Sequence, residues 1–75
     1  RSLRLIFDGN NADQPVVASM VLKCGAPVSI TYADTKKIHG KIFGQMILQL
    51  PENPATVQKM LAYLDEEHMT YEEEV

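Results

Sequence analysis

The chain of 75 residues has a single cysteine, Cys24. That excludes an internal disulfide and any Cys-x-x-Cys metal or redox pair. Arginine is almost as scarce, with Arg1 and Arg4 the only two. Seven basic residues stand against ten acidic ones, for a net charge of −3. The sequence therefore lacks the basic patches that neutralise phosphates, and nucleic acid is not an expected partner. An anionic membrane surface is disfavoured on the same ground. No apolar run approaches the length that spans a bilayer, and no signal-peptide pattern opens the chain. These absences leave a soluble cytosolic domain as the expectation.

A catalytic set is missing too. The serines are Ser2, Ser19 and Ser29, and neither His39 nor His68 has a partner for a nucleophilic triad. His39 falls in a turn and His68 just past an acidic helix end, so both read as surface histidines. Cys24 lies at the C-terminal end of a helical stripe, whereas a reactive thiolate wants a helix N-terminus and basic neighbours. It reads as an inert thiol. Asp65-Glu66-Glu67-His68 and Glu72-Glu73-Glu74 are consecutive residues that point in different directions, unlike the converging ligands of a cation site. They read as solvated charge runs, and the glutamates near the C-terminus also discourage sheet-to-sheet aggregation. No catalytic and no metal-ligating residues are assigned.

At this length the chain is one domain, residues 1–75, and about 60% of the unfolded surface becomes buried on folding. Such a marginal core gains stability by dimerising or by docking on a parent chain. The sequence begins at Arg1 rather than at methionine, which suggests a fragment of a longer polypeptide. Its 45% hydrophobic and 23% charged residues are ordinary for a globular domain.

What is present is regular patterning. Leu3 to Asp8 alternates, with Leu3, Leu5 and Phe7 on one face and Arg4, Ile6 and Asp8 on the other, as in a half-buried strand. After the Gly9-Asn10-Asn11 break, Asp13 or Gln14 caps a helix with Pro15 in its first turn. Val16, Val17, Met20, Val21 and Cys24 follow at helical spacing, and Gly25 with Pro27 stops it. Val28 to about Ala33 alternates again, with Val28, Ile30 and Tyr32 inward, and continues less regularly to Ile38. His39-Gly40-Lys41 is a turn. Phe43 to Leu50 is a third strand, with Met46, Leu48 and Leu50 on one face. Asn53 caps a second helix with Pro54 first, striped by Val57, Met60, Leu61 and Leu64. Met69 to Glu74 alternates weakly, as a short edge strand.

The order βαββαβ with right-handed crossovers gives an α+β, ferredoxin-like fold. Its four-stranded antiparallel sheet has the order 4-1-3-2, with both helices on one face. The other face carries Arg4, Ile6, Ser29, Thr31, Gln45, Ile47 and Gln49, and its mixed character suits a partner. The alternative is a plain solvated sheet face. Gly40-Lys41-Ile42-Phe43-Gly44 reads as a hairpin bend bracketed by glycines. It is not a P-loop, since no Gly-Lys-Ser/Thr follows at the required spacing.

Two segments carry a resemblance. Arg4-Leu5-Ile6-Phe7-Asp8-Gly9 with Asp13-Gln14-Pro15, and Ile38-His39-Gly40-Lys41-Ile42-Phe43-Gly44-Gln45-Met46-Ile47-Leu48, are similar to the NIL domain family. The likeness extends through the second helix, Val57 to Leu64. The eponymous Asn-Ile-Leu motif aligns with Ser29-Ile30-Thr31, where only the isoleucine agrees.

The resemblance implies a regulatory domain at the C-terminus of the ATP-binding subunit of a bacterial methionine-import ABC transporter. Two copies are then expected to form a homodimer, bind L-methionine near their interface and slow import when internal methionine is high. Ser29, Ile30 and Thr31 would meet the ligand or the partner copy, and Gly40, Phe43 and Gly44 would shape the adjoining wall. Plain sheet and turn structure is the alternative for these six. The implied parent hydrolyses ATP with Mg²⁺ and joins a membrane permease subunit at the cytoplasmic face of the inner membrane. The domain itself is expected to hold no cofactor and to be no enzyme. A second reading is a dimerisation module without ligand, in a transporter or a ferredoxin-linked protein. An acylphosphatase-like hydrolase needs an anion loop with arginine, and neither Arg1 nor Arg4 lies in one. RNA binding needs exposed aromatics on the central strands, and Phe7 faces the helices.

Overall fold

The computed structural model describes residues 1–9 and 15–74, and for Glu74 only its place in a strand. Along the chain run β1 (Ser2–Asp8), α1 (Val16–Cys24), β2 (Ser29–Ile38), β3 (Lys41–Gln49), α2 (Pro54–Glu66) and β4 (Thr70–Glu74). All strand pairs are antiparallel, and the sheet order is β2-β3-β1-β4. This is the ferredoxin-like α+β arrangement read from the sequence.

The register places Leu3 opposite Leu48 and Leu5 opposite Met46. These residues meet Val16 and Met20 of α1 and Val57, Met60, Tyr63 and Leu64 of α2 in one core. Leu3, Leu5, Met20, Leu48, Met60 and Leu64 are fully buried, each worth roughly 1.5–3 kcal/mol of transfer free energy. Tyr63 is buried as well, although the sequence stripe placed only Val57, Met60, Leu61 and Leu64 there. Three residues after Met60, it lies beside that residue on the side away from Leu64, so its ring widens the same stripe.

The two helix starts differ. The Asn53 side chain accepts hydrogen bonds from Ala55 N at 2.9 Å and Thr56 N at 3.4 Å, with Pro54 at the first helical position. At α1 Pro15 is itself the cap residue, outside the first turn, and no side chain caps the helix. The expected capping residues Asp13 and Gln14 lie outside the described residues. At the far end of α2, His68 takes φ 57°. Its N–H and that of Met69 reach back to the Asp65 and Leu64 carbonyls, closing the helix.

The second strand corrects the sequence reading. Ile30 pairs with Leu48 and Tyr32 with Ile47, so Thr31 is an extra residue in a β-bulge. One inserted residue reverses the side-chain parity beyond it. Tyr32 therefore points to the helix-free face with Ile47, and the alternating Val28, Ile30 and Tyr32 do not share an inward side. Ile30 is 54% exposed and Tyr32 47% exposed.

The third strand and the turn also differ from expectation. β3 begins at Lys41, not Phe43, because Lys41 and Ile42 pair with Ile38 and Lys37. The bend is confined to His39 and Gly40, with φ of 50° and 78°. Two successive positive values are what a two-residue hairpin of type I′ requires. Residues 41–44 are thus strand rather than bend. Among the described residues, Lys41 and Ile42 have no partner on β1. The hairpin tip therefore projects, lengthening the molecule to 37 Å.

Candidate functional site

β2 is an edge strand, and every one of its ten residues is exposed. Its helix-free side carries Tyr32, Asp34, Lys36 and Ile38, paired with Ile47, Gln45, Phe43 and Lys41 of β3. Two apolar side chains thus flank two opposite charges at period two. Neither Asp34 nor Lys36 makes an ion pair among the described residues. The other edge, β4, is different. Its Glu72 lies 3.9 Å from Arg4 across the sheet, and Glu73 pairs with Arg1. Both pairs are exposed and contribute little to stability.

The six sequence-predicted residues fall into two groups. Ser29, Ile30 and Thr31 open β2, where the Thr31 hydroxyl donates to the Ile47 carbonyl at 3.2 Å. That bond holds the bulge against β3 and occupies the hydroxyl. Gly40 is at the hairpin tip, while Phe43 and Gly44 lie opposite Lys36 and Thr35. Phe43 is 37% exposed, and its ring packs against Gly9. Ser29 pairs at Gln49 and Thr31 bonds to Ile47, whereas Phe43 and Gly44 lie nearer the hairpin on the same strand, so at ~3.3 Å per residue the separations run from roughly 10 Å (Thr31 to Gly44) to roughly 20 Å (Ser29 to Phe43). Within one protomer the fold does not bring them together.

Among the described residues, surface cavities flank the helices. One of about 270 Å³ lies between the start of α1 and the sheet, lined by Phe7, Val16, Val17, Thr35, Ile42 and Met46. Its lining residues are apolar except Thr35, a combination that suits an apolar side chain. The second, of about 300 Å³, lies between the end of α1 and α2. There Lys23 sits 5.5 Å over the Tyr63 ring, and the half-buried Cys24 forms part of the wall. Among the described residues no three or more His, Cys, Asp or Glu side chains gather as a metal site. Nor is any described helix long and apolar enough to cross a membrane.

The family model for the NIL domain matches residues 1–73. The chain belongs to the NIL domain family. This NIL domain is 32% identical over 62 residues to methionine import ATP-binding protein MetN 2 of Acinetobacter baylyi, covering 83% of the chain and 18% of that protein. It is 31% identical over 71 residues to MetN 1 of Paraburkholderia xenovorans, covering 95% of the chain and 21% of the relative. The chain thus spans about a fifth of the length of these relatives. A crystal structure of the C-terminal domain of an ABC transporter ATP-binding protein from Enterococcus faecalis shares the fold. The TM-score is 0.76 at 23% identity, covering 96% of this chain and 80% of that one.

The sequence reading missed the pattern that distinguishes β2 from the other edge. Tyr32, Asp34, Lys36 and Ile38 are visible as an alternating set, but only the bulge at Thr31 tells which face they occupy.

Proposed function

We propose that this NIL domain is the regulatory C-terminal part of a methionine-import ABC transporter ATP-binding subunit. Two copies bind L-methionine at their interface, and occupancy slows further import. Within the NIL framework, the observation that carries this reading is β2, an edge strand exposed along its whole length, whose Asp34 and Lys36 form no ion pair among the described residues and stand beside apolar side chains. Ser29, Ile30, Thr31, Gly40, Phe43 and Gly44 are the proposed ligand and interface residues. The apolar cavity beside Thr35 offers a wall for a thioether side chain. The parent subunit supplies ATP hydrolysis with Mg²⁺ and works with its permease at the cytoplasmic face of the membrane.

The regulation is linkage between two sites. Methionine slows import only by binding more tightly to the arrangement in which the ATP-binding domains are held apart. Calorimetric titration of the domain with L-methionine tests this, with leucine and D-methionine as controls. Saturable heat with L-methionine alone is expected, together with a rise in melting temperature, because a ligand of the folded state stabilises it. A dimer that takes up no methionine would instead be a dimerisation module.

A further inference from the structure

Lys59, Ala62, Tyr63 and Glu66 recur along α2 at the spacing of one helical face. Lys23 and Cys24, at the end of α1, lie across from them. Ala62 contributes only a methyl group, so the helices leave a recess of about 300 Å³ where a longer side chain would close the surface. That volume stands at the lower end of the range for small-molecule sites.

Floor and rim differ in chemistry. Tyr63 is 7% exposed and Cys24 is half-buried, so with the Ala62 methyl they make an apolar floor. The rim carries the exposed Lys23, Lys59 and Glu66. Two ammonium groups thus stand beside one carboxylate, in a chain whose net charge is −3. Lys23 is engaged already, with its ammonium 4.0 Å from Glu66 and 5.5 Å over the Tyr63 ring. Lys59 forms no ion pair among the described residues.

We infer that this recess is a binding site for a small monocarboxylate with a flat apolar body. The carboxylate meets the Lys59 ammonium, and the apolar body covers the Ala62 methyl, the Tyr63 ring and Cys24. The class follows from the groups present. A neutral molecule gains nothing from Lys59. A zwitterion brings an ammonium group whose counter-ion, Glu66, already faces Lys23. An inorganic phosphate has no apolar surface to lay on the floor. None of the lining residues belongs to β2 or β3, so the site is separate from the proposed methionine surface and does not depend on that reading.

Benzoate is the probe and benzamide its neutral counterpart of the same shape, followed by amide-resolved NMR titration of the domain. Benzoate is expected to shift residues 23–24 and 59–66 saturably, with a Kd of about 1 mM, as befits a ligand of few atoms. An exposed lysine adds about fivefold, so benzamide binds that much more weakly. Lys59→Gln lowers benzoate to the level of benzamide and leaves benzamide unchanged. Ala62→Leu fills the recess and removes both, with its melting temperature as the check that the fold is intact. Equal binding of the two probes, or benzoate binding indifferent to Lys59→Gln, overturns the carboxylate assignment. Shifts confined to other residues, or none that saturate, overturn the site. Saturating L-methionine leaves the benzoate titration unchanged. Displacement of benzoate by methionine would show that a zwitterion enters the recess, which overturns the ligand class.

Discussion

Gly44 faces Thr35 across the β2–β3 ladder so closely that a Cβ on Gly44 would lie 2.8 Å from the Thr35 Cα and 2.9 Å from the Asp34 carbonyl carbon. Its φ of 132° is one that side-chain-bearing residues rarely adopt. Gly44→Ala therefore meets backbone on one side and strain on the other. A loss of about 2–4 kcal/mol is expected in urea unfolding. Gly40→Ala is the comparison, because a Cβ there meets nothing within 4 Å. It retains only the left-handed strain, about 1–2 kcal/mol. Equal losses for the two variants would mean that close strand approach is not what requires Gly44.

The contrast between these glycines also marks what the sequence could convey. Both were legible as a bracketing pair, but the hairpin turns at His39–Gly40 alone, while Gly44 serves close approach inside a strand. Element order was legible because Leu3, Leu5, Leu48 and Leu50 keep period two and Val57, Met60 and Leu64 keep the helical period. The face of β2 was not, since the bulge at Thr31 changes parity without altering local composition. The separation of Ser29–Thr31 from Phe43–Gly44 was hidden for a related reason. It follows from which β3 residue lies opposite each β2 residue, a long-range register that no local motif states.

Met20 and Leu22 stand two residues apart on α1, one fully buried and the other 83% exposed. Met20→Ala removes a core side chain and leaves a cavity, with an expected cost of about 2–5 kcal/mol. Leu22→Gln touches no core contact and should stay within about 0.5 kcal/mol. Thermal or urea unfolding of the two variants checks the contrast. A large loss for Leu22→Gln would show that this leucine is covered in solution, by a second copy or by another surface.

Asn53 is the only side chain holding a helix N-terminus among the described residues. Replacing it with alanine leaves the Ala55 N–H and Thr56 N–H without their shared acceptor, which typically costs ~1 kcal/mol. Asn53→Ser supplies an oxygen at the same place and should recover most of the loss. The melting temperatures of the pair decide the matter. If serine fails to rescue, the asparagine acts through something other than the cap.

Tyr71 on β4 donates its hydroxyl to the Asp65 carboxylate of α2 at 2.9 Å, tying the end of the helix to the edge strand. That hydrogen bond raises the phenol's pKa above its ordinary 10.0, with partial burial and the negative charges of Asp65 and Glu73 adding to it. The folded-state value is the higher one, so the contribution is fully present below pH 10 and is lost as pH rises through the raised value. Wild type should therefore exceed Tyr71→Phe in stability at neutral pH, and the difference should shrink in strongly alkaline solution. Asp65→Asn removes the charged acceptor and should return the phenol toward its ordinary value. Tyr32 and Tyr63 are common to both proteins, so the difference in tyrosinate absorbance between wild type and Asp65→Asn reports Tyr71. Superimposable titrations would show that the helix end and the edge strand are not joined through this bond in solution.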